Sequence, residues 1–259
     1  MSSKPSHTSN NLSQTYHGKH IIIVGASGAI GKACANRLQE LGASLTLLSR
    51  SDNISQPGLK VASTTQSFTA DITNETTLQT IAESLAASGK AVDGILVTTG
   101  ILHDHQIQPE KSIRQLSSND FMRIIEINTL GPALVARYFS PLLAKQTPVW
   151  FAALSARVGS ICDNRLGGWY AYRASKSALN MVIKNLSIEL SRRHKSSVVV
   201  GLHPGTVDSE LSKPFQTGVT PSKLFTPSDT AERLLGVLAN LSPADSGRCF
   251  DWAGKEVPP

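Results

Sequence analysis

The run His20-Ile-Ile-Ile-Val24 passes directly into Gly25-Ala-Ser-Gly28-Ala-Ile-Gly31, and this junction constrains the fold more than any other stretch. A short β-branched apolar run reads as a strand buried on both faces of a parallel sheet. The glycines are followed by an amphipathic helical pattern whose apolar face carries Ile30, Ala33, Cys34, Leu38 and Leu41, with Gly42 as its stop signal. A second strand over residues 44–48 completes a β-α-β unit. In such a unit the glycines allow a tight turn, and the helix N-terminus offers free N–H groups to a pyrophosphate. A glycine pattern alone says little. A strand before it and a helix and strand after it predict a dinucleotide site.

The end of the second strand bears on the cofactor. An acidic residue there would accept hydrogen bonds from the ribose 2′-OH of NAD. This chain has Ser49-Arg50-Ser51 instead. A guanidinium suits the 2′-phosphate of NADP, so Arg50 predicts NADP(H) rather than NAD.

The alternation continues along the chain. Strands are expected at 66–70, ending before Asp71, and at 93–97, running into Thr98-Thr99-Gly100. Further strands are expected at 149–154, 197–202 and near 247–252. Helices are expected at 74–87, at 119–143 with a bend near Gly131-Pro132, at 170–194 and at 228–241. Strands alternating with helices imply an α/β fold, one doubly wound parallel sheet of about seven strands with helices on both faces. Residues 18–259 form one domain, with no linker dividing them. Residues 1–17, polar and nearly free of apolar side chains, read as a disordered tail. Ligands in such sheets bind beyond the C-terminal strand ends, where Asp71, Thr98 to Gly100, Ser155 and Pro204-Gly205 fall.

Composition excludes several classes. No apolar run approaches the length of a membrane span. The net charge of +6 is scattered, without the basic patch of a nucleic-acid binder. The three cysteines lack disulfide or metal spacing, which predicts reduced thiols in a cytoplasmic protein. His103-Asp104-His105 lacks a third ligand group and reads as the lip of a substrate pocket, so no metal is expected.

Tyr172 and Lys176 stand four residues apart at the start of the longest helix, on one helical face. A phenol and an ammonium so placed can act as a proton-transfer unit. With this pair, the glycine turn, Asp71, the Asn128-Thr-Leu-Gly131 segment and His203-Pro-Gly-Thr-Val207 in order, residues 18–259 resemble the short-chain dehydrogenase/reductase family, a Rossmann fold. Residues 154–160, Tyr172-Arg-Ala-Ser-Lys176 and the ending Asp251-Trp-Ala-Gly-Lys-Glu256 resemble its C-signal-like, sniffer-type carbonyl reductase branch.

The resemblance implies hydride transfer between nicotinamide and a small carbonyl or alcohol substrate. Tyr172 is then the proton donor, with its pKa lowered by Lys176, and Lys176 also holds the nicotinamide ribose. Asn128 anchors a water on Lys176. Cofactor contacts are implied for Gly25, Ser27, Gly28, Ala29, Ile30, Gly31, Arg50, Asp71, Ile72, Thr98, Thr99, Gly100, Tyr172, Lys176, Pro204, Gly205 and Val207. The family often forms a homo-oligomer through the two long helices, while the sequence itself does not give the oligomeric state.

Three departures stand out. The usual middle glycine of the turn is Ala29, with Gly28 one place earlier. The family's Asn-Asn-Ala-Gly reads Val97-Thr-Thr-Gly100. Its catalytic serine falls on Ala156. Either Ser155 shifts into the site, or Ser160 reaches it, or turnover is slow; Ser155 is the expectation carried forward. The last alternative describes a cofactor-binding signalling or scaffold protein, and a third reading is a lyase or epimerase. Over 207–225, Leu211, Phe215 and Leu224 either cover an apolar substrate or pack the loop down. Trp169 and Tyr170 read as pocket wall or core.

Overall fold

The structure, a computed structural model, describes residues 7–50 and 65–259. Its first half runs α1 (His7–Tyr16), β1 (His20–Val24), α2 (Ala29–Glu40), β2 (Ser44–Ser49), β3 (Thr65–Thr69), α3 (Glu75–Ala87) and β4 (Gly94–Val97). There follow α4 (Ser118–Ile125), α5 (Gly131–Phe139), β5 (Val149–Leu154), α6 (Tyr170–Arg193) and β6 (Ser197–His203). The chain closes with β7 (Thr206–Val207), β8 (Leu224–Phe225), α7 (Pro227–Asn240), β9 (Cys249–Asp251) and β10 (Glu256–Val257).

Eight strands form one sheet in the order β10-β9-β6-β5-β4-β1-β2-β3. All neighbours are parallel except the short terminal pair β9 and β10. Alternation along β1 sorts its side chains between two cores. Ile21 and Ile23 pack toward Cys34, Leu38, Leu234 and Leu238 of α2 and α7. Ile22 and Val24 pack toward Leu78, Val135, Leu179 and Ile183 of α3, α5 and α6. All four are almost fully buried, which explains why the run is apolar at every position rather than alternating. After β3 the chain crosses to the other side of β1, so β1 and β4 meet where the strand order reverses. Such a reversal opens a crevice at the strand ends.

Three details differ from the sequence expectation. Residues 7–16, expected within a disordered tail, form α1, while residues 1–6 lie outside the described residues. Leu12 and Tyr16 are buried, and the Tyr16 hydroxyl donates to Leu235 O at 2.8 Å. Burying each such side chain contributes roughly 1.5–3 kcal/mol, and two apolar residues in a polar stretch suffice to dock one short helix. The helical stretch near Gly131-Pro132 bends one turn earlier than expected, where Glu126–Leu130 forms a single π turn between α4 and α5. The segment after β6 is tied at both ends, because β7 and β8 pair in parallel as a separate two-stranded ribbon.

Candidate active site

A cleft of about 740 Å³ opens at the reversal point between β1 and β4. Gly25, Ser27, Gly28, Arg50, Asp71, Ile72, Thr98, Thr99 and Gly100 line it, all expected from the sequence. His103 and Leu211 close its outer end.

The glycine turn is shaped by close approach. Gly25 has φ +92°, and a Cβ there would lie 2.7 Å from Thr98 Oγ1 and 2.9 Å from Thr99 Cγ2. A Cβ on Gly31 would overlap the Gly25 carbonyl. Gly31 therefore sits behind the turn, where it lets α2 approach, rather than in the cleft. Gly28 is the N-cap of α2 and supplies no side-chain acceptor to its first amides. Ala29 is the first helical residue, exposed, so the missing middle glycine leaves the turn intact. Ile30 turns toward the core under α2. The Thr99 hydroxyl oxygen is buried without a hydrogen-bond partner among the described residues. Unfilled helix amides, an orphan hydroxyl and a backbone cradle with no room for Cβ fit a dinucleotide phosphate group. Asp71 stands beside Arg50. Burial works to raise its pKa, but the N–H and hydroxyl of Thr73, at 2.8 and 2.7 Å, and the Arg50 charge outweigh it and hold the carboxylate ionised.

Three further expected residues converge beside Gly100. The π turn directs Asn128 inward, fully buried, where its Nδ2 donates to Ile101 O at 2.8 Å and to Ser175 Oγ at 3.0 Å, while its Oδ1 accepts from Ile101 N at 2.8 Å. A Cβ on Gly100 would sit 3.4 Å from Asn128 Oδ1 and 3.5 Å from Lys176 Nζ. Lys176 is buried and donates to Leu154 O at 2.8 Å. Burial pushes its pKa down to about 8, against a smaller opposing pull from Cys249. Its Nζ lies 5.7 Å from the centre of the Tyr172 ring. Burial raises the Tyr172 phenol to about 12. The lowering by Lys176 that the resemblance implies belongs to the cofactor complex; in the free protein lost hydration is what sets the direction.

Both candidate serines are hydrogen-bonded within the protein. Ser155 continues β5, its N–H donating to Leu202 O at 2.9 Å, so its side chain alternates toward α6. There, buried, it donates to Asn180 Oδ1 at 2.7 Å. Ser160 is also buried, donating to Pro259 O at 3.2 Å and accepting from Asp163 N at 3.0 Å. Neither is among the residues lining the cleft.

Aromatic rings cover the site. Trp169 lies edge-on to Tyr172 at 6.2 Å and to Phe215 at 5.0 Å, and Phe215 meets His103 at 5.5 Å. The His103 ring Nε2 also bonds Leu211 O at 3.1 Å. His103 lines the cleft, Trp169 packs against Tyr172 and Phe215 without lining it, Leu224 is tied into β8, and Tyr170 is exposed. Pro204, Gly205 and Val207 lie outside the cleft lining. Gly205, at φ +77°, packs against Phe225 and Trp252, and Val207 is buried in β7. No group of side chains that could hold a metal ion occurs among the described residues.

Two features had no sequence signal. Trp169 is the one non-glycine residue with positive φ among those described, at φ 52°, ψ 46°. Such a conformation costs on the order of 1–3 kcal/mol for a bulky residue and tends to mark functional sites. Glu110, distant in sequence and buried, lies against the start of α6.

The sequence pattern of the family described as short chain dehydrogenase matches residues 19–219. The chain is 31% identical over 228 residues to the 1-hydroxy-2-glutathionyl-2-methyl-3-butene dehydrogenase of Rhodococcus sp. (strain AD45), covering 88% of this chain and 94% of that one. It is 39% identical over 139 residues to C-signal of Myxococcus xanthus, covering 54% of this chain and 78% of that one. The carbonyl reductase Sniffer of D. melanogaster superposes with a TM-score of 0.81 at 22% identity, over 93% of this chain and 100% of that one. A doubly wound sheet with a cleft at its reversal point and a Tyr-Lys pair beside it define an oxidoreductase of the Rossmann type. The chain belongs to the short-chain dehydrogenase family.

Proposed function

We propose that the protein is an NADP(H)-dependent oxidoreductase that transfers a hydride between the nicotinamide and a carbonyl or alcohol substrate. The observation that carries this reading is the convergence of Asn128 and Lys176 beside Gly100, which lines the cleft, with Lys176 one helical turn from Tyr172. When bound, NADP(H) supplies or accepts the hydride. Gly25, Ser27 and Gly28 would hold its phosphates, Asp71 and Ile72 its adenine end, and Thr98, Thr99 and Lys176 its nicotinamide ribose. Tyr172 gives its proton to the substrate oxygen as the alcohol forms. Lys176, whose Nζ stands with Asn128 Oδ1 beside Gly100, returns a proton toward the phenol. The aromatic cover of Trp169, Phe215 and His103 excludes water from the reacting carbonyl. A cytoplasmic location fits three cysteines that are all free.

The preference for NADP rests on Arg50 at the cleft edge. Charge-assisted hydrogen bonds contribute about 1.5–3 kcal/mol each. Arg50→Ala is therefore expected to weaken NADPH binding by about tenfold to a hundredfold and NADH binding by little, measured by quenching of protein fluorescence. Equal losses for both cofactors refute the assignment to a 2′-phosphate.

One observation favours a second reading. Ser155 and Ser160 are both committed elsewhere and Ala156 has no hydroxyl. Lack of an oxyanion donor commonly lowers a rate by about 10² to 10³. A protein that binds cofactor and turns over little, acting in signalling or as a scaffold, would look the same in this part of the site.

A further inference from the structure

The N-terminus of α6 is built without a cap of its own. Its N-cap residue is Trp169, which has no side-chain oxygen and sits in the left-handed region. Trp169 is there for its ring, which faces Tyr172 and Phe215. Helices of this kind leave their first amides seeking an acceptor. Glu110 supplies it from the segment after β4. Both of its carboxylate oxygens accept from Ala171 N, at 3.3 and 3.4 Å. Its backbone carbonyl accepts from Trp169 N at 2.6 Å. Gly168, at φ +65°, makes room for that carbonyl, since a Cβ there would lie 3.2 Å from it.

Glu110 is only 6% exposed, and no lysine or arginine pairs with it among the described residues. A buried carboxylate without a cation is costly unless something else stabilises its charge. Here the amide end of a 24-residue helix does so. The residue it holds, Ala171, is fully buried and immediately precedes Tyr172.

We infer that Glu110 is a positioning residue of the active site: one side chain and one carbonyl clamp the start of α6, fixing Trp169 in its left-handed turn and Tyr172 in its place beneath the aromatic cover. This rests on the reading of Tyr172 as proton donor. The clamp explains how a tryptophan can occupy the cap position without loosening the helix that carries the Tyr-Lys pair. It acts through Ala171 and Trp169 and touches neither substrate nor cofactor.

The test compares Glu110→Ala and Glu110→Gln with the wild type. Gln retains an acceptor for Ala171 N and serves as the conservative rescue; Ala leaves the amide unpaired. Turnover of NADPH with a panel of aldehydes and ketones is expected to fall by about tenfold to a hundredfold in kcat for Ala and by about threefold for Gln, with NADPH affinity unchanged. A second readout needs no turnover. Absorbance titration of each protein against its own Tyr172→Phe derivative isolates the Tyr172 phenol in the free chain. In Glu110→Ala that phenol is expected to titrate at lower pH than in wild type, as water reaches the loosened helix start, and in Glu110→Gln to stay near the wild-type value. An unchanged phenol titration in a folded Ala variant overturns the proposal. Should Ala fail to fold, a folded Gln variant whose kcat falls by about a hundredfold or more overturns it instead. Absent turnover in the wild type, with the phenol shifted in Glu110→Ala, would instead count against the reductase reading and leave the clamp standing.

Discussion

Replacing Tyr172 by phenylalanine is expected to lower kcat for carbonyl reduction by about 10² to 10⁴, the range spanned by loss of a general acid. The change deletes one oxygen. The ring keeps its edge contact with Trp169 at 6.2 Å and its place above Lys176, so the aromatic cover stays in position. No protein group among those described accepts from the phenol, so no partner is left unpaired. Cofactor affinity and thermal stability should therefore stay close to the wild type. The prediction is checked by steady-state kinetics beside NADPH binding on the same samples. Turnover that survives the substitution removes Tyr172 from the chemistry, whatever the family pattern implies.

The second large effect concerns Lys176, and it separates catalysis from stability. Lys176→Met fills the same channel with a side chain of similar length but no charge. Turnover is expected to fall by about 10² or more, because the proton path to Tyr172 and a hold on the cofactor ribose are lost together. Stability should move the other way. In the folded chain burial lowers this amine to about 8, from an ordinary value of 10.5. Because the folded-state value is depressed, the group's favourable share of stability is present above pH 10.5 and lost as pH falls through 8, where a buried amine has to become charged. The difference is on the order of 3 kcal/mol. The bond to Leu154 O, worth about 1 kcal/mol, offsets part of it in the wild type. Relative to Lys176→Met, the wild type should therefore gain stability between pH 8 and 10.5, and at pH 7 the variant should be no less stable. Urea unfolding of both proteins at pH 7 and pH 10 measures this. Parallel stability curves would show that the ammonium is not desolvated as the structure has it.

Much of this site is legible in the chain because its parts are local. The glycine turn follows from a strand, a spacing and a helix, each visible within residues 20–48. Tyr172 and Lys176 share a helix, and their relation needs only its period. Arg50 is placed by the end of β2. What was not legible depends on contacts remote in sequence or on a single residue of register. The π turn adds one residue to a helical pattern without changing its composition, yet it is what turns Asn128 inward. Ser155 looked able to stand in for Ala156, but its place in the β5 ladder commits its side chain to Asn180. Helix α1 hangs on Leu12 and Tyr16, too few apolar residues to stand out in a polar stretch. Glu110 is unremarkable in its own segment and gains meaning only where α6 begins, some sixty residues on.

These features share a physical origin. Sequence patterns report the large apolar faces that drive folding, while cap geometry and hydroxyl orientation are decided by individual hydrogen bonds of about 1 kcal/mol. The fold follows from the first kind of term, and the rate of the enzyme from the second. Ala156 is where the two kinds of term meet: under the proposed reading the Tyr172–Lys176 pair is in place, but position 156 carries no hydroxyl to steady the reacting oxygen.

The most direct test is therefore one of hydride transfer itself. The purified protein would be supplied with NADPH dideuterated at C4 of the nicotinamide and a panel of aldehydes and ketones, and the products examined by mass spectrometry. The expected product is an alcohol bearing one deuterium at the former carbonyl carbon, formed by the wild type and about 10² to 10⁴ times more slowly by Tyr172→Phe. Tight NADPH binding with no deuterated alcohol from any carbonyl would contradict it and assign the protein to a role in which the cofactor is held but not used.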